Sequence, residues 1–180
     1  FGTNYYWGAG VYCYAASPTI LGNIITANSA PQGTASRYGY GSGIACLESD
    51  ATITRTLIAA NSGYGGGGIM TEVGRARITD NVICSNSAVM GGGALLFSGA
   101  QFLNNTVVGN SAQFAGHIYA SSDAFGQCLI TDNILCNATN GGGIYVDSAD
   151  KITQMAFNDV WNNTGGDCVG VTNRTGLNGN

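Results

Sequence analysis

The chain has 180 residues, enough for a single domain, and only 9% of them are charged, against about 25% in an average domain. A net charge of −4 excludes the basic footprint of a nucleic-acid binder, and no run approaches the ~18 consecutive apolar residues of a membrane-spanning helix. Gly is 29 of 180, Asn is abundant and Lys occurs once, at Lys151; this composition suits many short strands joined by tight corners. Neither an initiator Met nor a signal sequence is present, which reads as a mature form or an excised piece.

Residues 1 to 7 (FGTNYYW) are aromatic and are expected either to cap the first coil or to be the tail of another. From Gly8 onward one unit recurs. It starts at Gly8, Gly41, Gly66, Gly91, Ala115 and Gly141, at intervals of 33, 25, 25, 24 and 26, and a seventh coil starts at Gly165. A period of this size marks a solenoid, whose units bury their apolar faces only by stacking. Three apolar columns run through the units: Val11, Ile44, Ile69, Ala94, Ile118 and Ile144; then Ile20, Ile53, Ile78, Phe102, Ile130 and Ile152; then Ile25, Ile58, Ile83, Val107, Leu135 and Phe157. Their runs are too short for helices and rich in β-branched residues. The expected fold is all-β: one domain over residues 1–180, a right-handed parallel β-helix of about six to seven coils, each of about 25 residues and three strands.

Two polar columns mark corners. Asn23, Asn81, Asn105 and Asn133 form one, with Thr56 and Met155 as breaks; Asn28, Asn61, Asn86 and Asn110 form the other. Asn tolerates left-handed corners and can bond its copies one coil away. The glycines mark a third corner, where positive φ is expected; His117 interrupts that glycine column and reads as a corner residue. Coil one carries an insertion at Pro31 to Tyr40, in which Arg37, Tyr38 and Tyr40 are binding candidates. Coil five carries another at Ser121 to Gln127, and Cys128 follows in a small inward column.

Of six cysteines, Cys13 and Cys46 share a column in adjacent coils, about 4.8 Å apart, within disulfide reach. They form either an oxidised staple, which implies an extracellular protein, or a buried thiol ladder. Cys84 and Cys136 lie two coils apart and should not pair. Asp80, Asn104 and Asp132 share a column, and their oxygens could hold Ca²⁺. Asn104, Asn137, Asn162 and Asn173 begin glycosylation sequons. Outward columns carry Tyr12, Ala45, Met70, Leu95, Tyr119 and Tyr145, then Tyr14, Leu47 and Phe97, and on another face Ile24, Leu57, Val82, Thr106 and Ile134. Apolar outward faces suggest interaction surfaces, and Tyr12, Tyr14, Tyr119 and Tyr145 could stack on sugar rings.

The repeat resembles the right-handed parallel β-helix superfamily, the pectin-lyase-like solenoids. Gly92-Gly93-Ala94-Leu95 followed by Phe102-Leu103-Asn104-Asn105 is similar to motifs of polymorphic outer-membrane autotransporter passengers. The resemblance implies, for enzymes of the superfamily, acidic polysaccharide substrates with clustered Asp residues and an Arg or Lys base. No Asp pair, Gly-His-Gly or Arg-x-Lys is present here, and no catalytic residue is assigned. The leading expectation is an extracellular or cell-surface structural or adhesive solenoid that binds glycans or a partner. With no cap evident, it self-associates or meets neighbouring domains through open coil ends. The alternative is a polysaccharide lyase or glycoside hydrolase, or its truncated core.

Overall fold

The computed structural model describes residues 4–33, 37–121, 126–146 and 153–170. Those residues contain strands and no helix, so no helix is long and apolar enough to cross a membrane. The strands stack in register as a parallel β-solenoid of about five turns, slightly fewer than the six to seven coils expected. A first sheet holds seven strands: Val11–Tyr14, Ile44–Leu47, Ile69–Glu72, Ala94–Phe97, Ile118–Ser121, Ile144–Val146 and Cys168–Val169. The second and third sheets hold six strands each, from Thr19–Leu21 to Gln154–Ala156 and from Ile24–Thr26 to Asp159–Trp161.

Each turn is three short strands because each strand is followed by a residue that the backbone can bend through. The repeat starts all have positive φ: 60° at Gly8, 59° at Gly41, Gly66 and Gly91, 57° at Ala115, 81° at Gly141 and 102° at Gly165. A side chain at Gly91 would place its Cβ 2.2 Å from the Ala94 carbonyl oxygen, so glycine is required there sterically as well as conformationally. The corner after the second sheet is also left-handed, at Arg55, Asp80, Asn104, Asp132 and Phe157.

The three apolar columns form the core. Ile44, Ile53, Ile58, Ile69, Ile78, Ile83, Phe102, Val107 and Ile130 are fully buried. Cys128 is buried among them, and Cys168 pairs with Ile144 in the first column. In coil six the columns differ from expectation by three residues. Met155, not Ile152, pairs with Ile130, and Val160, not Phe157, pairs with Leu135. Phe157 is a corner residue, 64% exposed. The true partners follow Ile130 and Leu135 by 25 residues each, whereas the expected ones keep the shorter offset from the glycine corner seen in coils two to four; Ile152 itself lies outside the described residues.

Both asparagine columns are hydrogen-bonded ladders. Asn81 donates its amide to Asn105 Oδ1 (3.0 Å), Asn105 to Asn133 (3.2 Å) and Asn133 to Asn158 (2.8 Å). Each of these amides also donates to a core-strand carbonyl, such as Ile53 O or Ile78 O, so both of its N–H groups are used. Thr56 continues the ladder instead of breaking it: its Oγ1 accepts from the Asn23 N–H and its own N–H donates to Asn81. The break at Met155 is a consequence of the three-residue offset, since Asn158 is the true rung.

The second ladder runs from Asn28 through Asn61 and Asn86 to Asn110. The next position is Ala138, and His117 enters the space. Asn110 donates to His117 Nδ1 (3.2 Å) and His117 Nε2 donates to the Cys136 carbonyl (2.9 Å). His117 is therefore a fully buried corner residue that also serves as a substitute rung. The ladder resumes where the Ala138 N–H donates to Asn163 Oδ1, and the Asn163 amide donates to Asp167 Oδ1 (2.9 Å).

A fourth row of strand flanks the first sheet. Asn4–Trp7 pairs with Arg37–Tyr40, bridges at Gly65 continue the row, and Ser87–Met90 pairs with Ser111–Phe114. The aromatic N-terminal segment thus joins this row and does not cap the core sheets, and the expected loop at Pro31 to Tyr40 ends as strand. The row also corrects the outward face of the first sheet. Ala45, Met70 and Leu95 are buried, because the Leu95 side chain packs into the space left by Gly65 beside Tyr40.

Candidate functional site: an aromatic and acidic groove

Residues of the fourth row and of the first sheet together line a groove. Register places Trp7, Tyr40, Gly65, Met90 and Phe114 in one column of the fourth row. At Gly65 the Leu95 and Tyr40 side chains fill the place of the missing one. Beside this column lies a cavity of about 300 Å³, lined by Tyr5, Trp7, Tyr40, Met70, Glu72, Met90 and Phe97. Met70 is fully buried here. Glu72 and Phe97 come from neighbouring rungs of the first sheet, in the outward column that also holds Leu47.

The aromatic wall is built by stacking. Trp7 and Tyr40 lie 5.1 Å apart at 29°, and Tyr5 stacks on Tyr38 at 6.1 Å, also at 29°. Tyr64 meets Tyr38 and Tyr40 edge-on, at 4.6 and 5.5 Å. Offset and edge-to-face pairs of this kind add stability beyond area burial, about 0.5–1.5 kcal/mol each. Burial, with the charges of Tyr64, Tyr5, Tyr38 and Glu72 nearby, pushes the Tyr40 phenol up to about 12. Tyr40 therefore stays neutral and keeps a hydroxyl that can donate.

The groove continues from this cavity. A second pocket shares Trp7 and Glu72 with the first and adds Leu47, Glu48 and Val73. A third, of about 490 Å³, shares Glu48 and Val73 and adds Ser17, Asp50, Gly74 and Arg75. The Asp50 carboxylate accepts from the Arg75 backbone N–H at 2.6 Å. Val73 has φ of 50°, an uncommon conformation for a β-branched residue, at the turn that sets Glu72.

Of the sequence-derived binding residues, only Tyr40 lines this aromatic cavity. Tyr38 supports it through Tyr5 and Tyr64, and Arg37 is exposed at the edge of the same strand. Tyr12 and Tyr14 stack on each other and are exposed on coil one. Tyr119 and Tyr145 stack at 4.9 Å, half-buried in coils five and six. These two pairs do not form one surface. Glu48, Tyr5 and Trp7 were not singled out individually in the sequence. A signal existed: Tyr5 and Trp7 precede Tyr38 and Tyr40 by 33 residues, the same interval that separates Gly8 from Gly41.

Asp80, Asn104 and Asp132 do share an exposed corner column. There the Asn104 amide donates to the Asp80 carboxylate at 2.5 Å, and Asp132 accepts from Thr131. The Asn104 side chain thus presents its N–H groups, not its oxygen, to Asp80. Among the described residues no three His, Cys, Asp or Glu side chains converge as a metal site. Cys13 and Cys46 are register partners and free thiols, both raised by burial, with a hydrogen bond between them. Cys84 and Cys136 are separated by the Val108 rung, as expected. Among the sequons, Asn104 and Asn162 are exposed at left-handed corners, Asn137 is half-buried, and Asn173 lies outside the described residues.

Compared with protein-family models, curated proteins and solved structures, the chain matches none.

Proposed function

We propose that this chain is an extracellular structural or adhesive β-solenoid, related to the pectin-lyase-like helices, that binds a carbohydrate chain along the aromatic groove. One observation carries this reading: a row of stacked rings, Tyr5, Trp7 and Tyr40, opens onto a cavity with a carboxylate, Glu72, on its far wall. Sugar rings present apolar C–H faces to aromatic rings and hydroxyls to a carboxylate, and this wall offers both. The connection of three pockets through shared residues favours an extended ligand over a single small molecule. Depletion from solution by insoluble polysaccharides tests it. Wild type should be depleted, and a Trp7→Ala, Tyr40→Ala double variant should stay in solution. Equal depletion of a folded double variant would refute the assignment to this groove.

A second reading is glycoside hydrolysis, favoured by a carboxylate pair that the sequence did not reveal. Glu48 and Glu72 line one pocket together with Trp7. Two carboxylates flanking a bond are what glycoside hydrolysis needs. Release of new reducing ends, abolished separately by Glu48→Gln and Glu72→Gln, would support it; binding without turnover excludes it.

A further inference from the structure

Resting on the carbohydrate reading of the groove, we infer that its ligand is cationic: a polymer of amino sugars with free amines, not the acidic polysaccharide that the fold resemblance suggests. The charges lining the groove decide the sign. Glu72 stands in the aromatic cavity, Glu48 in the pocket that joins it, and Asp50 and Glu48 in the third pocket. Arg75 is the one basic residue in these three linings, against three carboxylates. The chain as a whole carries −4. An anionic polymer laid along this path would meet three carboxylates, and like-charge juxtaposition costs several kcal/mol.

The aromatic wall points the same way. Rings attract a cation placed over their faces through the ring quadrupole, more strongly where the site is desolvated. Tyr5, Trp7, Tyr40 and Phe97 surround the cavity that Glu72 completes. A pyranose whose C–H face lies on this wall can turn an ammonium substituent to Glu72, which lines the same cavity. A basic peptide would satisfy the charge but has no flat apolar ring to lay on the wall.

The test is calorimetric titration of the full chain with soluble glucosamine oligomers, N-acetylglucosamine oligomers, oligogalacturonate and a lysine-rich peptide. The inference predicts that glucosamine oligomers bind and that their affinity falls as salt rises. N-acetylated oligomers should bind about tenfold more weakly, and oligogalacturonate should not bind. Glu72→Gln should lower glucosamine affinity about tenfold, with a smaller loss for Glu48→Gln, and thermal melting should show both variants folded. Equal affinity for free and N-acetylated oligomers, unchanged in Glu72→Gln, would overturn the inference and leave the carbohydrate reading intact. A peptide that binds as tightly as the oligomers would overturn it in favour of a polycationic protein partner. No binding of any oligomer by the folded chain would overturn both.

Discussion

Ala115 stands where the other repeats start with glycine, and its φ is 57°. A residue with a Cβ in the left-handed region costs roughly 1–2 kcal/mol. Ala115→Gly should therefore stabilise the protein by about 1 kcal/mol, read as a rise of about 2–4 °C in Tm. An unchanged or lower Tm would mean that the Ala115 methyl packs well enough to offset its strain. His117 is the other residue with a measurable consequence. Burial lowers its pKa from 6.5 to about 4, against the opposing hydrogen bonds with the Cys136 carbonyl and Asn163. The unfolded chain thus takes up a proton that the folded chain refuses. Stability is full above pH 6.5, falls as pH drops through the interval to about 4, and levels off below. The loss is on the order of 3 kcal/mol. Denaturant midpoints across that interval check it; a flat profile between pH 6.5 and 4 would contradict the buried, neutral assignment.

At the scale of the element, the ladders explain both what could be read from the sequence and what could not. Repeated Asn at one offset announced the corners, because two donors and one acceptor suit a stack in which each copy meets the next. The role of His117 was hidden, because it lies in the glycine column and fills a gap in a different column, at Ala138. The two sites are complementary in size: where a ladder residue shrinks to Ala, the facing position can carry a ring. Ala138→Asn alone should destabilise by crowding His117. His117→Gly alone should leave Asn110 short of its Nδ1 acceptor, at about 1–3 kcal/mol. The double variant, which restores the regular pattern, should recover most of the loss and abolish the pH dependence. Additive losses in the double variant would show that the two positions do not exchange space. The offset in coil six was legible only from the preceding coil: Met155, Asn158 and Val160 follow Ile130, Asn133 and Leu135 by 25 residues each, while the offset counted from Gly141 leaves a locally plausible apolar pattern at Ile152 and Phe157.

For the whole molecule, the fold was nearly complete in the sequence, because a stacked repeat writes each buried contact several times over. The groove was much less legible. It is made by the fourth row, whose lining rungs are a short aromatic segment and part of an insertion, against Glu72 and Phe97 of the first sheet. The covering of Ala45, Met70 and Leu95 by that row also moves the exposed apolar surface elsewhere. It lies on the third sheet, where Ile24 is 74% exposed, with Val82 and Ile134 further along the same column. The first rungs Val11–Tyr14, Thr19–Leu21 and Ile24–Thr26 have a strand neighbour on one side only among the described residues. Unpaired edges of this kind recruit further strands. Sedimentation at micromolar concentration should show association of the isolated chain, and Ile20→Asp, a charge in the first rung of the second column, should weaken it. A monomer that does not change with concentration would remove end-to-end association from the proposed function.

The central claim is that a ligand lies against the Trp7–Tyr40 wall, and the two tryptophans allow it to be tested in place. Trp7 lines the groove, whereas Trp161 is exposed on the third sheet, away from it. Each can be made the sole indole reporter, with Trp161→Phe and Trp7→Phe. Titrated with soluble glucosamine oligomers, the Trp161→Phe protein should show a saturable change in emission, and the Trp7→Phe protein should show none. A change reported only by Trp161, or by neither tryptophan at ligand concentrations where calorimetry detects binding, would contradict the account.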